Sequence, residues 1–309
     1  MKLLKPKFWN NKKNLFSILL WPFSIIFYFV TLLRKSFTSS TKFKTPIICI
    51  GNIYVGGTGK TPVSIEIFNI LKTLKKNPAI IRKFYINHED EHLMIKDKTN
   101  SLILGNNRIQ AIRKAEKENF QVLVLDDGFQ DHTIHKDLNI ICFHGNQMVG
   151  NEFLFPAGPL RDSLDSLKRS QILIINGNRN KDFEKKIFNI SKNIKIFYSK
   201  YVPKNIDQFK NKNIFAFAGI GNPNNFFDLL SKYGFNIRKK IALPDHHALS
   251  EKELNKIINK SIKNNLEIIT TEKDYFRYKD YGLSEIKCIK LNLEIFEKDK
   301  LINEIRKYI

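Results

Sequence analysis

Lys60 and Thr61 close a glycine-rich stretch, Gly51-Asn52-Ile53-Tyr54-Val55-Gly56-Gly57-Thr58-Gly59-Lys60-Thr61-Pro62, whose residue types suit the holding of a polyphosphate. Glycines let several backbone N–H groups turn toward one anion without a Cβ in the way. Gly56, Gly57, Thr58 and Gly59 supply those amides, Lys60 a mobile cation for the terminal phosphates, and the Thr61 hydroxyl a ligand for Mg²⁺. In the usual G-x-x-x-x-G-K-[ST] spacing the first glycine falls at position 54, which is Tyr54 here. The second chemical signal is Asp126-Asp127-Gly128, which follows the apolar run Val122-Leu123-Val124-Leu125. Alone, such a triplet reads as a turn. Downstream of Lys60-Thr61 it reads as the end of a buried strand whose acid holds Mg²⁺, Asp126 and Asp127 both being candidates.

Three further groups leave alternatives open. Asn87-His88-Glu89-Asp90-Glu91-His92 carries two histidines and three carboxylates, yet their near-adjacent spacing gives no single helical face for a metal, and a solvated acidic loop fits as well. Arg161 ends a segment stiffened by Pro156, Gly158 and Pro159, where a two-pronged guanidinium suits a phosphate; a plain surface arginine fits the same pattern. His246 and His247 are adjacent and so point apart, with no cysteine partner near. His132 is not read as catalytic, and Gly219-x-Gly221 lacks the third glycine of a dinucleotide fingerprint.

The elements that must position these groups are legible in outline. Pro46–Ile50 reads as a buried strand before the glycine loop, and Ile67, Phe68, Ile70, Leu71 and Leu74 as the apolar face of a helix after it, with Pro62 suited to its first turn. Strands are expected at 79–82, 101–104, 122–125, 139–143, 172–175 and 195–199, and a polar loop at 87–92. A second α/β unit starts near Ile214, with strands at 214–218 and 236–243 and a helix at 225–233 between them, and Ser250 with Glu253 forms a capping box for a further helix. The predicted architecture is a P-loop NTPase-like α/β/α sandwich with a smaller C-terminal α/β unit, divided as 1–45, 46–212 and 213–309.

Residues 1–45 have a different character. Phe16 to Leu33 is eighteen residues without a charge, flanked by Lys12, Lys13, Arg34 and Lys35. As a helix it would be about 27 Å long, near the roughly 30 Å of a bilayer's hydrocarbon core. A secretory signal fits poorly, since no small-residue cleavage site follows before the glycine loop. The predicted role is membrane attachment, crossing or lying in the inner leaflet, with the catalytic part in the cytoplasm where ATP is available. The chain of 309 residues is 42% hydrophobic and carries 52 basic against 30 acidic residues, a net charge of +22. That field favours anionic partners, including acidic lipids and phosphorylated substrates. Interleaved aromatic RNA-binding motifs are absent, so nucleic acid is not expected. The three cysteines, Cys49, Cys142 and Cys288, have no paired spacing and read as buried thiols.

The glycine loop with Asp126-Asp127-Gly128-Phe129-Gln130-Asp131-His132, Leu154-Phe155-Pro156-Ala157-Gly158-Pro159-Leu160-Arg161 and Ala218-Gly219-Ile220-Gly221-Asn222-Pro223 resembles, in order and over most of the chain, the tetraacyldisaccharide 4'-kinases of lipid A synthesis. The resemblance implies an ATP- and Mg²⁺-dependent transfer of phosphate to the 4'-hydroxyl of a tetraacyldisaccharide 1-phosphate at the cytoplasmic face of the inner membrane. It also implies that Asp90 removes the hydroxyl proton, that Glu91 lies near Mg²⁺, that His246 supports Asp90, and that Arg161 serves the phosphates. Thr271-Glu272-Lys273-Asp274 resembles the family's closing motif, and of Arg82-Lys83-Phe84-Tyr85 Arg82 carries over. The alternative is a membrane-tethered P-loop NTPase switch, which would require a nucleotide-specificity element that Thr271-Glu272-Lys273-Asp274 spaces wrongly.

Overall fold

A computed structural model describes residues 6–245 and 247–309, the side chain of Asn87 excepted. The chain divides into two compact units, one formed by residues 6–84, 99–200 and 293–309, the other by 85–98 and 201–292.

The larger unit begins with helix α1 (Leu15–Ser36), capped by the Asn14 side chain accepting from the Phe16 amide at 3.0 Å. Strand β1 (Ile47–Gly51) leads through the glycine loop into α2 (Lys60–Thr73) and β2 (Pro78–Lys83). After α3 (Glu89–Thr99), nearly all of which belongs to the smaller unit, come β3 (Leu102–Gly105), α4 (Arg108–Lys117), β4 (Val122–Asp126), β5 (Leu138–His144), β6 (Ile172–Asn176), α5 (Lys181–Ile190) and β7 (Lys195–Pro203). β1 lies between β4 and β5, with parallel pairing from β3 across to β7. Every residue of β1, β4 and β6 is buried, as expected of parallel strands covered on both faces. The register Ile50↔Asp126, with the Asp127 amide donating to Ile50 at 2.9 Å, brings the end of β4 beside the start of the glycine loop. Ligands of open α/β sheets bind outside the carboxyl ends of such strands.

The smaller unit comprises β8 (Asn213–Ala218), α6 (Pro223–Lys232), β9 (Asn236–Ala242), α7 (Glu251–Lys263), β10 (Glu267–Thr271), α8 (Glu272–Tyr278) and β11 (Ile286–Ile289), its strands ordered β11-β10-β8-β9 and parallel. The expected capping box at Ser250 and Glu253 is present. β12 (Leu291–Ile295) and α9 (Lys298–Ile305) return the chain to the larger unit, β12 beside β7.

One expectation is corrected. Residues 87–92 are not a loop: a 3₁₀ turn over Ile86–His88 runs into α3. Glu89, Asp90 and Glu91 occupy the first turn of that helix, where carboxylates complement the N-terminal dipole. His92, Met94 and Ile95 bury its inner side.

α1 reverses the usual arrangement of a surface helix. Leu15 is 77% exposed and Leu19 69%, whereas Ser17 and Ser24 are buried. It is long and apolar enough to cross a membrane by length and composition.

Candidate active site

The glycine loop takes its shape from two features of its own sequence. Gly56 and Gly59 adopt φ of 109° and 86°, a region in which a side chain is strained, and Gly59 is the N-cap of α2. Asn52 is fully buried, and its Nδ2 donates to Thr58 Oγ1 at 2.7 Å, bracing the loop from inside. Tyr54, where a glycine would stand, needs no special conformation. It is buried and bridges Leu160 in antiparallel fashion, while the Val55 amide donates to Pro159 at 2.7 Å. Position 54 is thus part of the wall, and the glycine turn itself begins at Gly56.

The two neighbouring aspartates have different partners. Asp126 is 1% exposed and accepts from Ser64 Oγ at 2.9 Å and Thr61 Oγ1 at 3.3 Å, with Arg82 Nε at 3.3 Å. Asp127, in the left-handed region at φ 55°, faces cations instead: Arg161 Nη2 at 2.9 Å and Lys60 Nζ at 3.7 Å. Burial opposes its ionisation, but Lys60 and Arg161 outweigh that and hold its carboxyl well below the usual carboxylate range. Arg108 steadies the same turn, Nη2 donating to the Asp127 carbonyl at 2.6 Å and Nη1 to Asp131 at 3.2 Å. The 151–161 segment contains no helix or strand, as expected, and ends with the Arg161 amide on Ile53 at 2.8 Å.

In the smaller unit Asp90 is 4% exposed and bonded to Arg277 through Nε at 3.1 Å and through Nη2. Arg277 also donates to Asp274 at 2.5 Å and to the His247 carbonyl at 2.9 Å. Burial pushes the Asp274 carboxyl up against the pull of Arg277. Its oxygens accept from the Gly219 amide at 2.9 Å and the Thr271 hydroxyl at 2.8 Å, joining the glycine turn after β8 to the Thr271–Asp274 motif. Glu91 pairs with Lys273 at 2.9 Å, and Lys273 with Asp245 at 3.1 Å. His246, expected to support Asp90, lies outside the described residues. Arg277 and Lys273 were not singled out from the sequence. The signal was a positive charge one turn after Asp274 and another inside the Thr-Glu-Lys-Asp block.

A hydroxyl-bearing phosphate loop, a buried carboxylate on that hydroxyl and a second carboxylate between two cations are the parts of a phosphotransferase. The family model described as tetraacyldisaccharide-1-P 4'-kinase matches residues 16–309. The chain belongs to this kinase family. The tetraacyldisaccharide 4'-kinase of Pelagibacter ubique is 41% identical over 99% of the chain and 98% of its own length, and that of Rickettsia bellii 32% identical over 99% of each. Among solved structures, LpxK from Aquifex aeolicus in complex with ATP superposes with a TM-score of 0.71 at 22% identity, covering 94% of this chain and 99% of that one. That likeness bears out the predicted P-loop NTPase-like α/β fold.

The chain is therefore an ATP-dependent kinase of the lipid A disaccharide precursor, with ATP and Mg²⁺ as cofactors. Among the described residues, no group of three or more His, Cys, Asp or Glu could hold a metal by itself. Mg²⁺ asks for less, since it keeps several waters and takes one or two carboxylates plus substrate phosphates. Thr61 Oγ1, 3.3 Å from the buried Asp126 carboxylate, fits that requirement.

His132 stands beside the kinase site in a cationic setting. Burial, then Arg169, Lys136 and Lys35, push its imidazole down to about 4, and Arg169 Nη1 lies 3.3 Å from its Nδ1. The unfolded chain, with histidine near ~6.5, binds the extra proton first, so His132 lowers stability as pH falls from about 6.5 toward 4. Thermal melts of His132→Gln should show a shallower decline across that window. A slope equal to wild type would remove His132 from the account.

Proposed function

We propose the following division of labour for the kinase reaction. The amides from Gly56 to Thr61 and the Lys60 ammonium hold the β- and γ-phosphates, and Arg161 adds a two-pronged contact. Thr61 and Asp126 would hold Mg²⁺, which would supply charge neutralisation of the phosphates. Asp127, between Lys60 and Arg161, keeps both cations at the loop until phosphate oxygens take its place. Asp90 accepts the proton of the 4'-hydroxyl as that oxygen bonds to the γ-phosphorus of ATP, whose bond to the β–γ bridging oxygen breaks to release ADP; Arg277 fixes the carboxylate and His246 assists it. Glu91, paired with Lys273, is a further candidate carboxylate for Mg²⁺. Phosphoryl transfer of this kind depends on positioning and electrostatics more than on covalent chemistry.

The observation that carries this reading is the hydrogen bond from Thr61 Oγ1 to the 1%-exposed Asp126, at a loop whose Lys60 and Arg161 converge on Asp127. The exposed apolar surface of α1, with Lys12 and Lys13 before it and Arg34 and Lys35 at its end, supports attachment to the cytoplasmic face of the inner membrane, where acceptor and ATP meet.

Asp90→Asn tests the assignment of the base. Transfer of the γ-phosphate of ATP to the disaccharide acceptor in detergent micelles should fall by about 10²–10⁴-fold, with ATP affinity retained. Transfer at the wild-type rate would move the base to another residue.

A further inference from the structure

The hydroxyls of α1 divide into two sets. Thr31 Oγ1 donates to the Tyr28 carbonyl at 2.8 Å and Ser36 Oγ to Leu32 at 3.1 Å, bonds within the helix that polar side chains make routinely in apolar helices. Ser17 and Ser24, two turns apart on one face, reach out of it. Ser24 Oγ donates to the Leu154 carbonyl at 2.8 Å and accepts from the Ala157 amide at 3.0 Å. Ser17 Oγ accepts from Asn151 Nδ2 at 3.0 Å. Asn151 is 1% exposed; its Nδ2 also donates to the Ala157 carbonyl at 2.9 Å, and its Oδ1 accepts from the Phe153 amide at 3.2 Å. Trp9, just before the helix, adds Nε1 to the Pro156 carbonyl at 3.1 Å and its own carbonyl to the Asn151 amide at 2.7 Å. The fit has little slack: a Cβ at Gly158 would stand 2.1 Å from Asn151 Oδ1.

The other end of the same segment is fastened to the nucleotide loop. Pro159 accepts from the Val55 amide at 2.7 Å, Leu160 bridges Tyr54, and the Arg161 amide donates to Ile53 at 2.8 Å while its guanidinium lies on Asp127. Residues 151–161 form no helix or strand; turn bonds of their own, Phe155 to Leu160 at 2.8 Å and Gly158 to Leu154 at 2.9 Å, fold the segment, and these two sets of contacts fix where it stands.

We propose that Asn151, Ser17 and Ser24 are positioning residues for the kinase reaction: they clasp the membrane helix to the 151–161 segment, and so hold Arg161 and the outer wall of the nucleotide loop in register. The inference rests on the reading of Arg161 as a phosphate contact. It explains why buried serines interrupt a helix whose exposed surface is apolar. It also makes α1 part of the scaffold of the nucleotide site as well as a membrane anchor.

The test uses the full chain with Asn151→Ala, Ser24→Ala, Arg161→Ala and the double variant Asn151→Ala/Arg161→Ala. Loss of a buried hydrogen bond in the clasp should raise the KM for ATP about tenfold, with kcat changed less, and with sedimentation on anionic vesicles within about twofold of wild type because the apolar surface of α1 is untouched. In the double variant Asn151→Ala should add little to Arg161→Ala, since both act through one contact. An unchanged KM in both clasp variants while Arg161→Ala raises it, or fully additive effects in the double variant, would overturn the proposal. If Arg161→Ala itself leaves the KM unchanged, the phosphate reading of Arg161 fails. The clasp is then decided by hydrogen exchange of the Val55 amide: faster exchange in Ser24→Ala upholds it, and wild-type protection overturns it.

Discussion

Lys60→Met should lower kcat by about 10²–10³-fold, the usual effect of removing one preorganised group that stabilises transition-state charge. Methionine keeps the length and packing of the side chain while deleting the ammonium. Lys60 lies at the first position of α2, its Nζ 3.7 Å from Asp127, so its removal leaves the buried hydrogen bonds of the loop, such as Asn52 to Thr58, in place. ATP should therefore still bind, more weakly, and the thermal transition should stay near that of wild type. Single-turnover transfer with saturating ATP separates the chemical step from binding. A variant that transfers phosphate at the wild-type rate would show that the terminal phosphate is neutralised elsewhere, with Arg161 the first residue to examine.

Asp126→Ala should have a double effect, which distinguishes it from Asp127. The Asp126 carboxylate is an acceptor common to Thr61, Ser64 and Arg82, and it is 1% exposed. Removing one partner of such a buried ion pair costs about 3–5 kcal/mol, so denaturant unfolding should show a large loss of stability. Transfer should fall as well, because Thr61 loses the partner with which it would hold Mg²⁺. Asp127 is about one-third exposed, which screens its pairing with Lys60 and Arg161, so Asp127→Asn should reduce activity and lose less stability than Asp126→Ala. Equal stability losses for the two variants would contradict the assignment of Asp126 as the inner carboxylate.

The fold was legible where residues announce their environment locally. The β-branched run before Gly51 and the run Val122–Leu125 became adjacent buried strands, since short continuous apolar runs suit a parallel sheet covered on both faces. Gly56, Gly59, Lys60 and Thr61 were legible for a similar reason, since a strand–glycine–helix turn leaves few other uses for them. Helix α3 was not: Glu-Asp-Glu-His at its start offers no apolar period, and its inner face emerges only at His92, Met94 and Ile95. Nor was it legible that segment 85–98 packs with residues 201–292. That pairing depends on Asp90 with Arg277, Glu91 with Lys273 and Lys98 with Glu272, charges far apart in sequence whose partners no periodicity identifies. The serines of α1 were hidden in the opposite way. Within an apolar run they look incidental, and only the carbonyl of Leu154 and the side chain of Asn151 show what they hold.

Following the γ-phosphate of labelled ATP in detergent micelles, with the tetraacyldisaccharide 1-phosphate as acceptor and, in parallel, its 4'-deoxy analogue, separates lipid phosphorylation from hydrolysis. A 4'-kinase should give a labelled lipid with the natural acceptor, none with the deoxy analogue, and little inorganic phosphate in either case. ATP turnover that proceeds equally with both, yielding inorganic phosphate and no labelled lipid, would contradict the kinase assignment.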